Sequence, residues 1–189
     1  MSTLPFFWAA AACNLTCQGV YIWAMVKGEA RPHLFTWLVW TITMGIAGVA
    51  QWASAGGIAS FLLLAAALSC GGIALASLWC GHREHTRTDW VMLTLALATI
   101  PLWMVTKNPL GSVLLATLID LSGYGPTIRK SWTHPREESL SSYALGGCGM
   151  LLSLGALDQR SFVTACYPVA IALANGLLVG LLVVRRRAT

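Results

Sequence analysis

Seven apolar stretches of about membrane-spanning length, separated by short polar turns, dominate this chain. Of its 189 residues, 57% are hydrophobic and 10% are charged, whereas soluble domains carry roughly 25% charged residues. A soluble fold of this size cannot bury so much apolar surface. Since about 20 apolar residues cross the hydrocarbon core as a helix, the sequence predicts an all-α integral membrane protein. We expect seven transmembrane helices in a single domain.

Charged residues, glycines and prolines mark the ends of the predicted helices. The helices cover residues 5–26, 33–54, 58–79, 90–105, 110–128, 140–157 and 161–184. Tryptophans at several of these ends, for example Trp23 and Trp79, are typical of the membrane interface.

The loops divide the cations unequally between the two sides of such a bundle. One side has only Lys107 and Arg160, whereas the loops after helices 1, 3 and 5 and the tail hold Lys27, Arg31, Arg83, Arg87, Arg129, Lys130, Arg136, Arg185, Arg186 and Arg187. Cytoplasmic loops of membrane proteins carry the excess of Lys and Arg. We therefore expect the N-terminus outside, the C-terminus in the cytoplasm and a location in a bacterial inner membrane.

An internal repeat relates the two halves of the chain. An offset of 106 residues aligns helices 1 and 2 with helices 5 and 6, and a shorter offset aligns Ser60 and Phe61 with Ser161 and Phe162. The longer offset matches Asn14 with Asp120, Gly19 with Gly125, Thr36 with Ser142, Trp37 with Tyr143 and Met44 with Met150. It spans four helices, so the two three-helix units have the same orientation in the membrane. This predicts a 3+1+3 parallel-repeat plan with units at 1–80 and 108–189, a linker helix at 81–107, and a substrate site where the units meet.

The size, the topology and the repeat resemble the SWEET and PQ-loop superfamily of small seven-helix transporters. The local resemblance lies in Gly125, Pro126, Thr127, Ile128, Arg129, Lys130, Ser131 and Trp132, followed by Glu138, Ser139, Leu140 and Ser141. This run is similar to the Pro-Gln, basic-Ser and Ser-Leu segment that closes helix 5 and opens helix 6 in that family. Thr127 stands where the family has Gln, and Val20-Tyr21 replaces the dipeptide in the first repeat, so the substrate does not carry over.

Trp37 and Trp40 on helix 2 also resemble the tryptophan-rich PnuC-type vitamin transporters, which share the architecture. The resemblance to the larger superfamily implies transport by alternating access. It also implies that an Asn on helix 7, here Asn175, forms a hydrogen bond with the substrate.

Asp120 lies near the middle of predicted helix 5. An ionised Asp there costs roughly 2.5–3.5 kcal/mol on insertion scales, which makes it a functional candidate by default. It is either a proton-titrating or substrate-binding carboxylate, or a structural group that locks helix 5 to a neighbour. Its repeat counterpart, Asn14, is a candidate to donate a hydrogen bond to it.

Other polar and aromatic residues share helix faces with these two. Asn14 and Gln18 are four residues apart, as are Asp120 and Tyr124, and both pairs indicate a polar cavity. Aromatic rings that can stack on a flat substrate, or simply pack, are Trp37, Trp40 and Tyr143. The candidate hinges, whose alternative is a static kink, are Gly19, Gly125, Pro126 and Pro168, with the prolines expected to break helices 5 and 7.

No motif for a metal, a cofactor or a catalytic residue is present, so we do not expect an enzyme. Cys13 and Cys17 are one turn apart, and apolar packing is favoured over a soft-metal site. The dispersed cations do not indicate nucleic acid; the expected partners are a small-molecule solute and membrane lipid, and a homo-oligomer is left open.

The sequence therefore predicts a transporter of a small polar solute, with proton coupling and passive facilitation both open. A seven-helix receptor, sensor or assembly factor that docks through the charged loop 134–138 is the alternative.

Overall fold

The computed structural model describes residues 3–82, 86–106 and 108–188. Within these ranges the protein is all-α, as predicted. The helices are α1 (Leu4–Val26), α2 (Leu34–Ala53), α3 (Ala59–Cys80), α4 (Arg87–Thr106), α5 (Pro109–Thr133), α6 (Leu140–Gly155) and α7 (Phe162–Ala188), and a 3-10 turn at Pro135–Glu137 precedes α6. Arg83 and Lys107, two of the cations on which the predicted orientation depends, lie outside the described residues.

Four helices, α1, α2, α3 and α7, are long and apolar enough to cross a membrane. Large apolar side chains cover outward faces of the bundle, for example Leu68 at 80% and Leu177 at 77% exposure. Contiguous apolar surface of this kind suits contact with lipid rather than with water. The helices therefore permit an integral membrane location.

The expectation that Pro126 and Pro168 break their helices is wrong. The helix runs through Pro126 and ends at Thr133, and α7 likewise runs through Pro168. A proline removes one backbone hydrogen bond, and neighbouring helices allow a long helix to continue past it. The Oδ1 of Asn108 caps the start of α5 by accepting from the backbone N–H groups of Leu110 and Gly111, at 3.0 and 3.3 Å.

Six helices form a ring. In the described parts of the chain, α3 packs between α1 and α2, α7 packs between α5 and α6, and the ring closes through α2 against α5 and α6 against α1. Helix α4 lies outside the ring, against α2 and α5. Exchanging α1–α3 for α5–α7 leaves this order of contacts unchanged.

The third helix of each unit buries matched positions. Pairs 101 residues apart that are buried in both helices are Leu63 and Thr164, Ala66 and Tyr167, Ala67 and Pro168, Cys70 and Ile171, Ala74 and Asn175, and Ser77 and Leu178. The two helices therefore turn corresponding faces toward the ring.

One end of the bundle, here called the basic end, brings together the loops that hold most of the cations. Lys130 Nζ donates to the backbone carbonyls of Arg31 at 2.7 Å and Glu137 at 3.2 Å. Arg186 Nε donates to the carbonyl of Pro135 at 3.0 Å. These contacts connect the α1–α2 loop, the α5–α6 loop and the end of α7.

Candidate functional site

A cavity lies inside the ring of six helices. The centres of water molecules have about 70 Å³ available within it, several times what one water needs. Its wall includes Asn14, Cys17, Gln18, Trp37, Trp40, Met44, Leu63, Cys70, Tyr124, Ser142, Tyr143, Gly146, Ile171 and Asn175. Among the described residues, none that lines the cavity is charged, so the wall favours a neutral occupant.

The cavity brings together seven of the eight side chains predicted to bind substrate. These are Asn14, Gln18, Trp37, Trp40, Tyr124, Tyr143 and Asn175, contributed by α1, α2, α5, α6 and α7. The eighth, Asp120, does not line the cavity.

A layer of aromatic rings closes the cavity toward the basic end. The ring centroids of Tyr21 and Trp37 are 4.7 Å apart, those of Trp37 and Trp40 are 5.1 Å apart, and those of Trp40 and Tyr124 are 4.8 Å apart. The plane of the Trp40 ring is inclined by 78° to that of Trp37 and by 54° to that of Tyr124. Aromatic pairs prefer such inclined contacts to a face-to-face arrangement. The layer joins α1, α2 and α5 across the bundle.

Glu138 lies directly beneath this layer. Its Oε2 accepts hydrogen bonds from the hydroxyls of Tyr143 at 3.0 Å and Tyr21 at 3.3 Å, and its Oε1 pairs with Lys130 Nζ. Glu138 is 2% exposed and Lys130 is 4% exposed. A buried carboxylate requires such partners, because unpaired charge in an apolar interior is strongly destabilising.

The expectation that Glu138 belongs to an exposed docking loop is wrong, because its side chain is buried. Pro135 and Glu138 are buried, whereas His134 and Arg136 are exposed. The signal that identifies Glu138 is its position immediately before Ser139, the residue that caps α6.

Asp120 faces α2 and α7. Its Oδ1 accepts hydrogen bonds from the hydroxyls of Tyr167, at 2.9 Å, and Thr43, and its side chain is fully buried. Its Oδ2 has no hydrogen-bond partner among the described residues. Asp120 therefore ties α5 to two neighbouring helices.

The expected hydrogen bond between Asn14 and Asp120 is not formed. Asn14 Nδ2 instead donates to the backbone carbonyl of Leu62, at 3.4 Å. Four residues advance a helix by about 40° beyond a full turn, which is enough for Tyr124 to reach the cavity while Asp120 turns toward α2 and α7.

One amide of the cavity wall, that of Gln18, retains free hydrogen-bonding capacity. Gln18 Oε1 is buried and has no partner in the described part of the chain. Asn175 is 6% exposed and lies beside Gly146 and Gly147. Nearby, Ser142 Oγ donates to the carbonyl of Cys17 at 2.8 Å. A buried acceptor without a donor is uncommon in proteins and marks Gln18 as a place for a ligand's N–H or O–H.

The four candidate hinges occupy two kinds of environment. Gly19 and Gly125 are exposed, and a Cβ added to either would meet no atom within 4 Å. Pro126 and Pro168 are buried inside α5 and α7. Packing does not require glycine at either position, and a hinge role for the four residues stays a prediction.

Among the described residues, no group of three or more His, Cys, Asp or Glu side chains comes together as a metal site would require. Cys13 and Cys17 are free thiols, and Cys17 Sγ lies 3.3 Å from Ser142 Oγ.

No protein-family model matches the sequence, and no curated protein and no solved structure matches it either. The likeness to the SWEET and PQ-loop superfamily therefore depends on the residues named above and on the plan of the repeat.

Proposed function

We propose that this chain is a membrane carrier that moves a small, uncharged polar solute by alternating access. The observation that carries the proposal is the cavity between the two three-helix units, whose described lining consists of amide, aromatic, small and apolar side chains without a charged group. Parallel-repeat transporters hold their substrates in this place. Ligand sites also typically combine apolar walls with a few polar groups.

Two sets of contacts act as the gates in this proposal. At the basic end, Tyr21 of the first unit donates to Glu138 of the second, and Lys130 of the second unit donates to the carbonyl of Arg31. At the other end, the ring of Phe6 packs so closely on Gly155 that a Cβ there would overlap it. A rocking motion of one unit against the other breaks one set while the other set holds.

Proton coupling, if the carrier has it, acts through Asp120. The carboxylate joins α5 of one unit to α2 of the other, through Thr43. Gain or loss of a proton changes that contact without touching the solute. In a carrier that lacks proton coupling, the same contact only holds the two helices together. Uptake measured with and without a pH gradient distinguishes a coupled carrier from an uncoupled one.

Cys17 provides a test that requires no known solute, because its thiol lines the cavity. A variant that keeps only Cys17 replaces the other free cysteines, Cys13, Cys70, Cys80, Cys148 and Cys166. Membrane-impermeant thiosulfonate reagents are then applied to sealed vesicles of each orientation. We expect Cys17 to be labelled from both sides, because alternating access exposes one site to each compartment in turn.

A variant that keeps only Cys80 is the matched control, since Cys80 is exposed at the basic end. It should be labelled from one side only. If Cys17 is also labelled from only one side, the cavity is a fixed pocket and the carrier proposal fails. That outcome would favour a receptor, sensor or assembly factor, for which the exposed His134 and Arg136 remain a docking surface.

A further inference from the structure

The ring contains two interfaces between the units, related by the offset of 106 residues. We call the contact of α2 with α5, around Trp40 and Gly123, the filled interface. We call the contact of α6 with α1, around Gly146 and Cys17, the open interface. Trp40 corresponds to Gly146 and Gly123 corresponds to Cys17, so one interface has an indole where the other has no side chain.

At the filled interface the Trp40 indole occupies a well-defined slot. A Cβ added to Gly123 would lie 3.2 Å from Trp40 Nε1, so the ring covers this glycine closely. Trp40 Nε1 donates to the backbone carbonyl of Asp120 at 3.4 Å. The ring packs against Tyr124 at 4.8 Å and Trp37 at 5.1 Å.

At the open interface the corresponding slot is part of the cavity. A Cβ added to Gly146 would lie 3.4 Å from Cys17 Sγ and 3.8 Å from Asn175 Nδ2, which is ordinary contact. The counterparts of Tyr124 and Trp37 are Gln18 and Tyr143, and both line the cavity. The slot thus keeps one aromatic wall, has an amide where the other had a phenol ring, and lacks its occupant.

We propose that the solute takes at the open interface the place that the Trp40 indole takes at the filled one. The solute is then a flat, uncharged ring of about the size of indole that carries an N–H donor. Gly146 is the residue that sets its size. This inference rests on the proposed function, because it requires that the cavity binds the transported solute.

The chemistry of the slot supports each part of that description. Gln18 Oε1 is a buried acceptor with no donor among the described residues, and a site built around such a group rejects analogues that lack the donor. Tyr143 offers a ring to a flat solute, as aromatic pairs prefer contacts of about 4.5–7 Å between centroids. In the part of the chain that the structure describes, no charged side chain lines the cavity, so a charged solute would be buried without a partner.

The test measures the melting temperature of the purified protein in detergent, at a mildly alkaline pH. The planar N–H probes are benzimidazole and adenine, both uncharged there. The matched probes are 1-methylbenzimidazole, which lacks the N–H, and glucose, which is neutral but not flat. We expect at least one planar N–H probe at saturation to raise the melting temperature by about 5 °C or more. Both matched probes should produce a much smaller shift.

Gly146→Trp supplies the indole that the slot lacks and should abolish the shift. Gly180→Ala on α7 is the control, because a Cβ there meets no atom within 4 Å, and it should keep the full shift. If Gly146→Trp does not fold, Gly146→Ala, whose Cβ fits, should weaken the shift. Conversely, Trp40→Gly opens a second slot, and benzimidazole should restore part of the melting temperature that this variant loses.

The outcomes separate this inference from the proposed function. If glucose gives a shift that Gly146→Trp removes and the flat probes give none, the ring inference is overturned and a solute site remains. If no probe shifts the wild type and Cys17 is labelled from both sides, the ring inference is overturned and the carrier stands. If Cys17 is labelled from one side only, the carrier itself fails.

Discussion

The filled interface and the open interface have the same place in the ring but different contents. At the filled interface, Asp120 accepts hydrogen bonds from Thr43 and Tyr167, and Trp40 covers Gly123. The counterparts at the open interface are Asn14, Gly149, Ala66 and Gly146. Thr43, Tyr167 and Trp40 thus correspond to the small residues Gly149, Ala66 and Gly146, whereas Asp120 corresponds to a side chain of similar size, Asn14. In the proposed carrier, one copy of the interface would serve cohesion and the other would bind the solute.

The largest expected effect comes from emptying the filled interface. Trp40→Ala should lower the free energy of unfolding by about 3–5 kcal/mol, as loss of a large buried aromatic ring does. Denaturation in detergent measures it. Trp79→Ala is the control, because Trp79 is 77% exposed and its loss should change stability by less than about 0.5 kcal/mol. Equal effects would mean that Trp40 does not hold the units together.

The ion pair at the basic end is the next difference between the units, since Lys130 and Glu138 correspond to Ala24 and Pro32. Glu138→Gln leaves Lys130 buried without an anion and should cost about 3 kcal/mol of stability. Adding Lys130→Met should restore much of the loss, because no unpaired charge remains. A double variant as unstable as the single one would contradict a role for the pair.

Two glycine-to-alanine changes compare the interfaces directly. A Cβ on Gly123 would lie 3.1 Å from Val39 Cγ1 and 3.2 Å from Trp40 Nε1, so Gly123→Ala should cost about 1–3 kcal/mol through overpacking. Gly146→Ala meets only ordinary contacts and should cost less than about 0.5 kcal/mol. Melting curves of the two variants, measured side by side, check the difference. The reverse order would show that the open interface is the tighter one.

The smallest expected effect concerns the hydrogen bonds of Asp120. Tyr167→Phe removes one of its two hydroxyl donors and should lower stability by about 1 kcal/mol. Thr94→Val on α4 is the control, since Thr94 Oγ1 donates only to the carbonyl of Trp90 in its own helix. If the two variants melt alike, Asp120 does not depend on Tyr167.

The sequence predicted the helices because hydrophobic length is a local property of the chain, and the polar or aromatic character of residues within those helices identified seven of the side chains that line the cavity. It did not identify the apolar part of the wall, such as Leu62, Leu63 and Ile171, because apolar residues are common throughout the helices. It did not predict which way Asp120 points, since helix periodicity assigns a face to a side chain but not the neighbour that the face meets. Glu138 was missed because charged residues in a short loop read as solvent-exposed. The continuation of α5 through Pro126 depends on support from packed neighbours, which no local pattern contains.

One part of the asymmetry was already present in the sequence. The offset of 106 aligns Trp40 with Gly146 as directly as it aligns Trp37 with Tyr143. The predicted repeat depended on the matched residues and made no use of the difference between Trp40 and Gly146. In a repeat protein, positions where a large side chain in one copy corresponds to a glycine in the other indicate where the two copies have diverged in function.

Helix α4 contacts both α2 and α5. Because α2 belongs to one unit and α5 to the other, α4 connects the two units along the filled interface in addition to the direct contact of α2 with α5. In the part of the chain that the structure describes, no such brace crosses the open interface between α1 and α6. In the proposed carrier, we therefore expect the units to separate most along that edge, where Gln18 and Gly146 lie, and least at the edge that Asp120 joins.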